Sequence, residues 1–239
     1  MREREAVALV IGGTGGIGSQ VVSRLRTRGL DVLATYRGEE MTSTDSGVRW
    51  LRLDVTDEAS ASAVAAYLAS HCGPLRAVVY AAGTPSSKRL VADTPSEEFR
   101  SLFAVNALGL VTVWRAIRDL ARGAKARLVV VGSDATRAPS PRNGPYTASK
   151  AALEAISMTL ASEEAVHEVR VNVIAPALVE TPQAYEILRR KGVANPAEYF
   201  STLPWGRALS PAEVADVVVD LAVDEHWSYP TGQIFRLAT

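Results

Sequence analysis

Seven short apolar segments alternate along the chain with longer segments of helical periodicity. The apolar segments are AVALVI (6–11), DVLATY (31–36), VRWLRL (48–53), RAVVYA (76–81), ARLVVV (126–131), RVNVIA (170–175) and GQIFRL (232–237). Several are apolar at both alternating positions, as parallel strands are when helices cover both faces of their sheet. The pattern predicts one doubly wound α/β domain over residues 1–239, with a parallel sheet of about seven strands and helices on both faces.

The helical segments begin at residues that commonly cap helices. Asp57 and Ser96 are predicted N-caps, and Ser210 is predicted to cap a helix whose first turn contains Pro211. A continuous helical pattern covers 96–121. The stretch 176–211 is predicted to be irregular, and its part 182–205 is a candidate substrate lid.

The overall composition limits the partners and the location of the chain. Its 26 basic and 26 acidic residues give a formal net charge of zero, which argues against capture of nucleic acid or of a membrane surface. The single cysteine, Cys72, excludes an internal disulfide and fits a reducing compartment. The apolar run near the N-terminus is too short for a signal peptide and ends in glycines, and no stretch approaches the roughly 20 residues that span a bilayer. We expect a cytoplasmic protein, and no metal site is predicted.

A glycine-rich segment, GGTGGIG (12–18), joins the first predicted strand to the first helix. Three spacings that occur in nucleotide-binding folds fit it: Gly13, Gly15 and Gly18; Gly12, Gly15 and Gly18; and Gly12, Gly16 and Gly18. Between a strand and a helix, glycines let the backbone turn tightly and approach a pyrophosphate, whose charge meets the helix N-terminus. The alternative is a glycine-rich turn that binds no nucleotide and only lets the strand and the helix pack closely together. No Lys-Ser/Thr pair follows, which argues against a P-loop and favours a dinucleotide site.

The end of the second predicted strand bears on the choice of cofactor. Its tip carries Tyr36 and Arg37 instead of the carboxylate that would bind the ribose diol of NAD. A guanidinium pairs well with a 2′-phosphate, so NADP(H) is favoured over NAD(H), although Glu39 and Glu40 keep NAD(H) open. Asp54 is either an adenine contact or a turn residue before the next helix.

Tyr146 and Lys150 stand four positions apart at the start of a predicted helix and therefore on one face of it. An ordinary tyrosine has a pKa near 10, too high for ready acid/base chemistry at neutral pH. A neighbouring ammonium lowers that pKa. The alternative is a surface tyrosine packed against a lysine stem.

Six motifs occur in one order along the chain and resemble those of one enzyme family. After the glycine segment come YAAGT (80–84), FAVNALG (103–109), VVVGSDAT (129–136), YTASK (146–150) and VNVIAPALVETP (171–182). Together they resemble the short-chain dehydrogenase/reductase family in its compact one-domain form, over essentially the whole chain. The resemblance implies an oxidoreductase that interconverts a ketone and a secondary alcohol by hydride transfer with NADP(H), with a small-molecule substrate.

The resemblance also implies roles for individual residues. Tyr146 would be the acid/base, Lys150 would lower its pKa and bind the nicotinamide ribose, Ser133 would orient the substrate oxygen, and Asn106 would support a proton relay through water. The predicted cofactor-binding residues are Gly12, Thr14, Gly16, Ile17, Gly18, Arg37, Asp54, Val55, Ala82, Gly83, Tyr146, Lys150, Pro176, Val179 and Thr181. The chain departs from the usual family pattern at Ile11, Tyr80, Ala81 and Ala177 and in the tail FRLAT, which affects fine positioning and none of the four catalytic residues.

Other functions and the substrate stay open at this point. A nucleotide-sugar epimerase or dehydratase would share Tyr-x-x-x-Lys but usually needs a larger C-terminal domain, and a non-catalytic dinucleotide-sensing or scaffold protein would lack the catalytic set. A dehydratase or isomerase on the compact fold is a further alternative.

Parts of the candidate lid bear on the substrate. The basic run LRRK (188–191) could bind the acidic surface of an acyl carrier to which the substrate is attached. The alternative is that the run is simply solvated, as such short basic runs usually are. Lid side chains either line an apolar cleft or pack the lid onto the body: Tyr185, Leu188, Tyr199, Phe200 and Trp205. Basic residues at the cleft rim, Lys88, Arg89 and Arg137, are weaker candidates for an acidic substrate group.

Members of the resembled family are commonly homotetramers or homodimers through helices that correspond here to 96–122 and 145–166. The apolar and aromatic run LFAVNALGLVTVW within the first of these is compatible with such an interface, although core packing explains much of it.

Overall fold

The computed structural model describes residues 5–41 and 45–238. The domain predicted over 1–239 therefore includes residues 1–4, 42–44 and 239, which lie outside the described part. The strands are β1 (Val7–Ile11), β2 (Asp31–Tyr36), β3 (Val48–Arg52), β4 (Leu75–Tyr80), β5 (Arg127–Val131), β6 (Arg170–Pro176) and β7 (Ile234–Leu237). The helices are α1 (Gly16–Thr27), α2 (Glu58–His71), α3 (Ser96–Phe103), α4 (Gly109–Gly123), α5 (Gly144–Glu164), α6 (Pro182–Arg190), α7 (Pro196–Ser201) and α8 (Pro211–Val223).

The strands form one parallel sheet in the order β3-β2-β1-β4-β5-β6-β7. The chain builds outward from β1 to β3 and then continues on the other side of β1 from β4 to β7. In such sheets, ligands bind outside the carboxyl ends of the strands where the order reverses, here between β1 and β4. The predicted doubly wound sheet is confirmed.

Alternate side chains of each central strand enter different hydrophobic clusters. On β1, Val7, Leu9 and Ile11 pack on the face covered by α2, α4 and α5, while Ala8 and Val10 pack on the face covered by α1 and α8. Burial on both faces explains why these strands are apolar at both alternating positions.

The predicted helix caps are mostly confirmed. Asp57 accepts a hydrogen bond from the Ala59 N–H at 3.0 Å, and Ser210 forms a capping box with Glu213 at the start of α8. The prediction for Ser96 was wrong by one position, because Pro95 is the N-cap and Ser96 is the first helical residue. Pro95 has φ −57° and ψ 140°, so the backbone is still extended there and becomes helical at Ser96.

The helical pattern over 96–121 is interrupted by a π-helical turn at Ala104–Leu108, between α3 and α4. The hydroxyl of the fully buried Tyr80 donates a hydrogen bond to the Val105 carbonyl oxygen at 2.8 Å. Such turns shift the backbone hydrogen-bond register and often occur at functional sites.

The prediction of an irregular stretch over 176–211 was wrong, because α6 and α7 lie within it. Thr181 caps α6 through its hydroxyl, which accepts from the Ala184 N–H at 3.1 Å. Asn195 caps α7, and a proline follows each cap at the first helical position. Thr-Pro and Asn-Pro are helix-start signals that the sequence contains.

Candidate active site

A cleft of about 600 Å³ opens beside the carboxyl ends of the central strands. Among the predicted site residues, it is lined by Thr14, Gly16, Ile17, Gly18, Gly83, Ser133, Tyr146, Lys150, Pro176, Val179 and Thr181. Gly12, Arg37, Asp54, Val55, Ala82 and Asn106 lie outside this lining, and the contacts of most of them are described below.

The glycine segment begins with a backbone turn that favours glycine. Gly12 has φ +82°, and a Cβ there would stand 2.9 Å from the Ala82 nitrogen. The Gly12 N–H donates to Thr35 Oγ1 at 3.2 Å and the Gly13 N–H to the Thr35 carbonyl at 3.0 Å. Thr35 was not among the predicted residues. The sequence signal that could have identified it is a lone threonine hydroxyl within the apolar strand β2, and the structure buries that hydroxyl.

The segment ends where α1 packs back onto it. A Cβ on Gly18 would stand 2.1 Å from the Gly12 carbonyl oxygen, and one on Gly16 would stand 2.7 Å from Thr181 Cγ2. Helix α1 starts after Gly15 with no side-chain cap and no acidic residue in its first turn. An uncapped helix N-terminus behind a bare backbone loop fits a pyrophosphate.

Two arginines stand at the end of the sheet nearest β3. Arg37 follows β2 and Arg52 ends β3, and both are exposed. The pKa of the nearby Asp54 is lowered, first by the Thr56 hydroxyl and N–H that its Oδ1 accepts at 2.7 and 2.9 Å, and then by these two guanidinium groups. Asp54 is therefore a turn residue before α2, which is one of the two roles considered for it in the sequence. Arg52 was not predicted as a site residue.

Val55, which was predicted to bind the cofactor, is 6% exposed and belongs to the hydrophobic core. A Cβ on Gly109 would stand 2.7 Å from its Cγ2, so Val55 packs against the start of α4.

Tyr146 lies in the first turn of α5, where it faces Ser133 on the loop after β5. Burial of the phenol raises the pKa of Tyr146, and a hydrogen bond from the Ser133 hydroxyl acts in the opposite direction. Two ammonium groups flank the Tyr146 ring, with Lys150 Nζ 6.0 Å and Lys88 Nζ 5.9 Å from its centroid.

Lys150 is 4% exposed, and its Nζ donates a hydrogen bond to the Val131 carbonyl oxygen at 2.8 Å. Burial lowers the pKa of Lys150 to about 8, while the carboxylate of Glu154, one helical turn later, raises it. The side chain is therefore a cation at neutral pH that loses its charge under mildly alkaline conditions.

Asn106 is fully buried in the π-helical turn, and its side-chain amide forms three hydrogen bonds. Its Nδ2 donates to the Thr84 carbonyl and to Ser149 Oγ, both at 3.0 Å, and its Oδ1 accepts from the Thr84 N–H at 2.8 Å. Asn106 thus ties the loop after β4 to α5, the helix of Tyr146 and Lys150. Ser149 was not predicted, although it lies between those two residues in the motif.

A buried ion network supports the loop that carries Ser133. Glu154 accepts from Thr136 Oγ1 at 2.8 Å and from Arg236 at 3.3 Å. Arg236 also lies 3.7 Å from Asp134, which Arg137 contacts at 2.9 Å. The tail FRLAT, noted above as a departure, thus contributes the arginine that joins β7 to this loop.

The lid side chains divide between the cleft and a small cluster of their own. Leu188 and Tyr199 line the cleft. Phe200 packs with Leu188 in the cluster and is contacted edge-on by Tyr185, at 5.8 Å between ring centroids. Trp205 is 69% exposed. Both interpretations therefore hold, since Leu188 and Tyr199 line the cleft and also pack in the cluster.

Within the described residues, no group of three or more His, Cys, Asp and Glu side chains is placed to hold a metal ion. None of the helices in that part of the chain has both the length and the apolar character needed to cross a membrane.

Comparisons with known proteins agree with this geometry. A family model described as enoyl-(acyl carrier protein) reductase matches residues 12–237. An NADP-dependent (R)-specific alcohol dehydrogenase of Lentilactobacillus kefiri is 31% identical over 245 residues, which cover 98% of this chain and 95% of the relative. The 3-oxoacyl-[acyl-carrier-protein] reductase MabA of Mycobacterium bovis is 31% identical over 227 residues, covering 95% and 88% of the two chains. Levodione reductase superposes with a TM-score of 0.90 at 22% identity, covering 99% of this chain and 97% of that one.

The sheet order and the cleft define a dinucleotide-binding protein of the doubly wound class. The chain belongs to the short-chain dehydrogenase/reductase family. It is an oxidoreductase of that family acting on alcohol or ketone groups, as the resemblance implied.

Proposed function

We propose that the protein is an NADP(H)-dependent ketoreductase that interconverts a ketone and a secondary alcohol. The observation that carries the proposal is that Tyr146, Ser133 and Lys150 line the same cleft as the bare glycine segment. A proton donor and a dinucleotide cradle in one cleft are what carbonyl reduction requires.

The residues present fit a nicotinamide dinucleotide. Gly12, Gly16 and Gly18 let the segment pack closely against the rest of the chain, which would present its backbone and the uncapped start of α1 to a pyrophosphate. Thr14 and Ile17 line the cleft beside them. At the other end, Pro176, Val179 and Thr181 would frame the nicotinamide. When bound, this group supplies or accepts the hydride.

Side chains that line the cleft carry out the proton transfer. The Tyr146 hydroxyl donates its proton to the substrate oxygen during reduction, and the Ser133 hydroxyl holds that oxygen in place. The positive charge of Lys150 stabilises the phenolate that Tyr146 becomes. Because the Asn106 amide holds both the loop after β4 and α5 through three hydrogen bonds, Asn106 acts by positioning Thr84 and α5.

NADP(H) is the proposed cofactor because two exposed arginines, Arg37 and Arg52, stand where the adenosine ribose would bind, both close enough to Asp54 to lower its pKa. A guanidinium favours a 2′-phosphate. The dehydrogenase of L. kefiri, whose name states NADP dependence, supports this choice.

The proposed substrate is a small molecule, with an acyl-carrier-bound thioester as the second candidate because of the similarity to MabA. The basic run LRRK gives the second candidate little support. Leu188 is buried, and both Arg189 and Arg190 bind the carboxylate of Glu186.

The Tyr146→Phe variant tests the reaction. Wild-type protein should oxidise NADPH with members of a panel of simple ketones, β-diketones and β-ketoacyl thioesters. The variant should lose at least about 100-fold in kcat, because general acid catalysis contributes that much, while NADPH still binds, as a change in its fluorescence shows. A wild-type protein that binds NADPH but reduces no carbonyl would favour the sensing or scaffold function. Turnover of nucleotide sugars without net NADPH oxidation would favour an epimerase or dehydratase.

We also propose that the protein is a homodimer or homotetramer through α4 and α5. A groove of about 460 Å³ lies between these helices, with Val111 and Ile156 on its apolar walls. Arginines on α4 (Arg115, Arg118, Arg122) and glutamates on α5 (Glu163, Glu164) line it, and of these Arg122 already pairs with Glu164 at 2.8 Å within the chain. Two copies related by a two-fold axis would bring opposite charges together.

A further inference from the structure

Four charged side chains line the cleft: Lys88, Asp134, Lys150 and Lys191. Asp134 is held by Arg137 and Arg236, and Lys150 donates to the Val131 carbonyl. Neither Lys88 nor Lys191 forms a salt bridge with any residue in the described ranges 5–41 and 45–238, although Lys88 donates a hydrogen bond to the neutral Asn143 side chain. The cleft therefore carries two positive charges that the proposed proton chemistry does not use.

Lys88 is held beside the reacting group. It lies on the loop after β4, and its Nζ stands 5.9 Å from the Tyr146 ring centroid. The same Nζ donates to Oδ1 of the buried Asn143, the N-cap of α5. Lys88 is partly buried and not simply solvated, which distinguishes it from the exposed Arg89.

Lys191 follows the last turn of α6 and faces the same cleft. Its neighbour Arg190 is paired with Glu186 at 2.8 Å, whereas Lys191 is exposed and forms no ion pair with the residues that the structure describes. Burial, together with the nearby charges of Lys191 and Arg190, lowers the pKa of Lys88 to about 8. Like charges gathered in a partly dry cleft repel one another, and an anionic ligand would remove that repulsion.

We propose that Lys88 and Lys191 bind an anionic group of the substrate, a carboxylate or a phosphate, so that the enzyme acts on acidic ketones. The distance from Lys88 to Tyr146 places the anion only a few bonds from the carbonyl. This inference rests on the proposed ketoreductase function and adds the class of substrate to it.

Matched pairs of ketones test the inference. Levulinate and methyl levulinate share one ketone and differ in charge, and acetonylphosphonate and its dimethyl ester form the corresponding phosphorus pair. The wild type should prefer the anion in at least one pair, and the preferred pair identifies the anion. Lys88→Met and Lys191→Met should each lower kcat/KM for that anion by roughly 10- to 100-fold, the usual effect of one charged hydrogen bond. Both variants should leave the neutral ester within about threefold.

Two control variants remove neighbouring charges that do not line the cleft. Arg89→Met removes a cation next to Lys88, and Arg189→Met removes one from the same end of α6 as Lys191. Both should retain the wild-type preference. Equal loss for anion and ester in Lys88→Met, with a shifted pH profile, would mean that Lys88 acts on Tyr146 and would overturn the inference.

Calorimetry separates the inference from the proposed function. NADP⁺-loaded protein cannot reduce levulinate or acetonylphosphonate, so titration with each measures binding alone, with its uncharged ester as the control. Binding of an anion that Lys88→Met weakens, without reduction of any ketone, would support the anion site and reject the ketoreductase. Reduction of both esters at least as fast as their anions would reject the anion site and retain the ketoreductase. Absence of binding by both anions would also overturn the inference.

Discussion

Lys150 is a buried cation, and two opposing effects set its pKa. Burial lowers its pKa to about 8, and the Glu154 carboxylate raises it. Because Lys150 must be charged to stabilise the Tyr146 phenolate, kcat/KM for reduction of a neutral ketone should fall as pH rises through about 8. The profile of kcat/KM reports groups of the free enzyme.

Glu154→Gln removes the charge that raises the Lys150 pKa, so the fall in kcat/KM should move to lower pH. A neutral ketone removes the substrate's own charge from the measurement, and the comparison with Glu154→Gln distinguishes Lys150 from Lys88, which lies equally close to Tyr146. Glu97→Gln, an exposed change on α3, is the control and should leave the profile unchanged. A shift to higher pH in Glu154→Gln would contradict the assignment of Lys150.

Arg37 is the residue on which the cofactor preference is expected to depend. Arg37→Met should weaken NADPH binding by roughly tenfold and leave NADH binding unchanged, because one charged hydrogen bond to the 2′-phosphate is lost. Fluorescence titration with both cofactors measures this. Arg49→Met is the matched control, since Arg49 lies on β3 with Arg52 but contacts Asp31. Equal weakening of both cofactors would count against a 2′-phosphate site.

Among the elements, the π-helical turn connects the core to the site. Tyr80 donates to the Val105 carbonyl within this turn, next to Asn106. Tyr80→Phe leaves that carbonyl without its partner, so the free energy of unfolding should fall by about 1–3 kcal/mol. Urea denaturation measures the change. Tyr67→Phe on α2 is the control and should stay within roughly 0.5 kcal/mol of wild type; the same small effect in Tyr80→Phe would show that the bond does not stabilise the turn.

The lid is the element that the sequence described least well. Its capping residues, Thr181 and Asn195, and the prolines after them were present in the sequence, but the surrounding polar residues hid the helical periodicity of two short helices. The burial of Leu188 and Phe200 in a cluster of their own shows that the lid folds on its own side chains. This local packing leaves Tyr199 and Lys191 facing the cleft.

At the scale of the whole molecule, the proposed homodimer or homotetramer depends on the groove between α4 and α5. Val111→Arg places a charge on its apolar wall and should shift the protein to a smaller species in light scattering after gel filtration. Ala66→Arg, on the exposed face of α2, should leave the mass unchanged. A wild-type protein that is monomeric at micromolar concentration would reject the proposed oligomer.

The sequence by itself determined the sheet and the glycine segment, and it predicts the catalytic set. Strand periodicity, glycine spacing and the Tyr-x-x-x-Lys motif are local patterns, set by backbone geometry and by residues a few positions apart. The bounds of β2, at 31–36, were predicted without error, because a strand buried on both faces ends where its apolar run ends.

Only the tertiary structure decided which distant side chains meet. Thr35 at the glycine segment, Tyr80 at the π-helical turn, Arg236 at Glu154 and Lys88 at Tyr146 each act on residues far away in the sequence. No spacing rule marks such pairs, because they form when parallel strands bring their carboxyl ends to one edge of the sheet. Local motifs therefore predict the reaction class. The charge of the cleft depends on tertiary packing, and the proposed class of substrate depends on that charge.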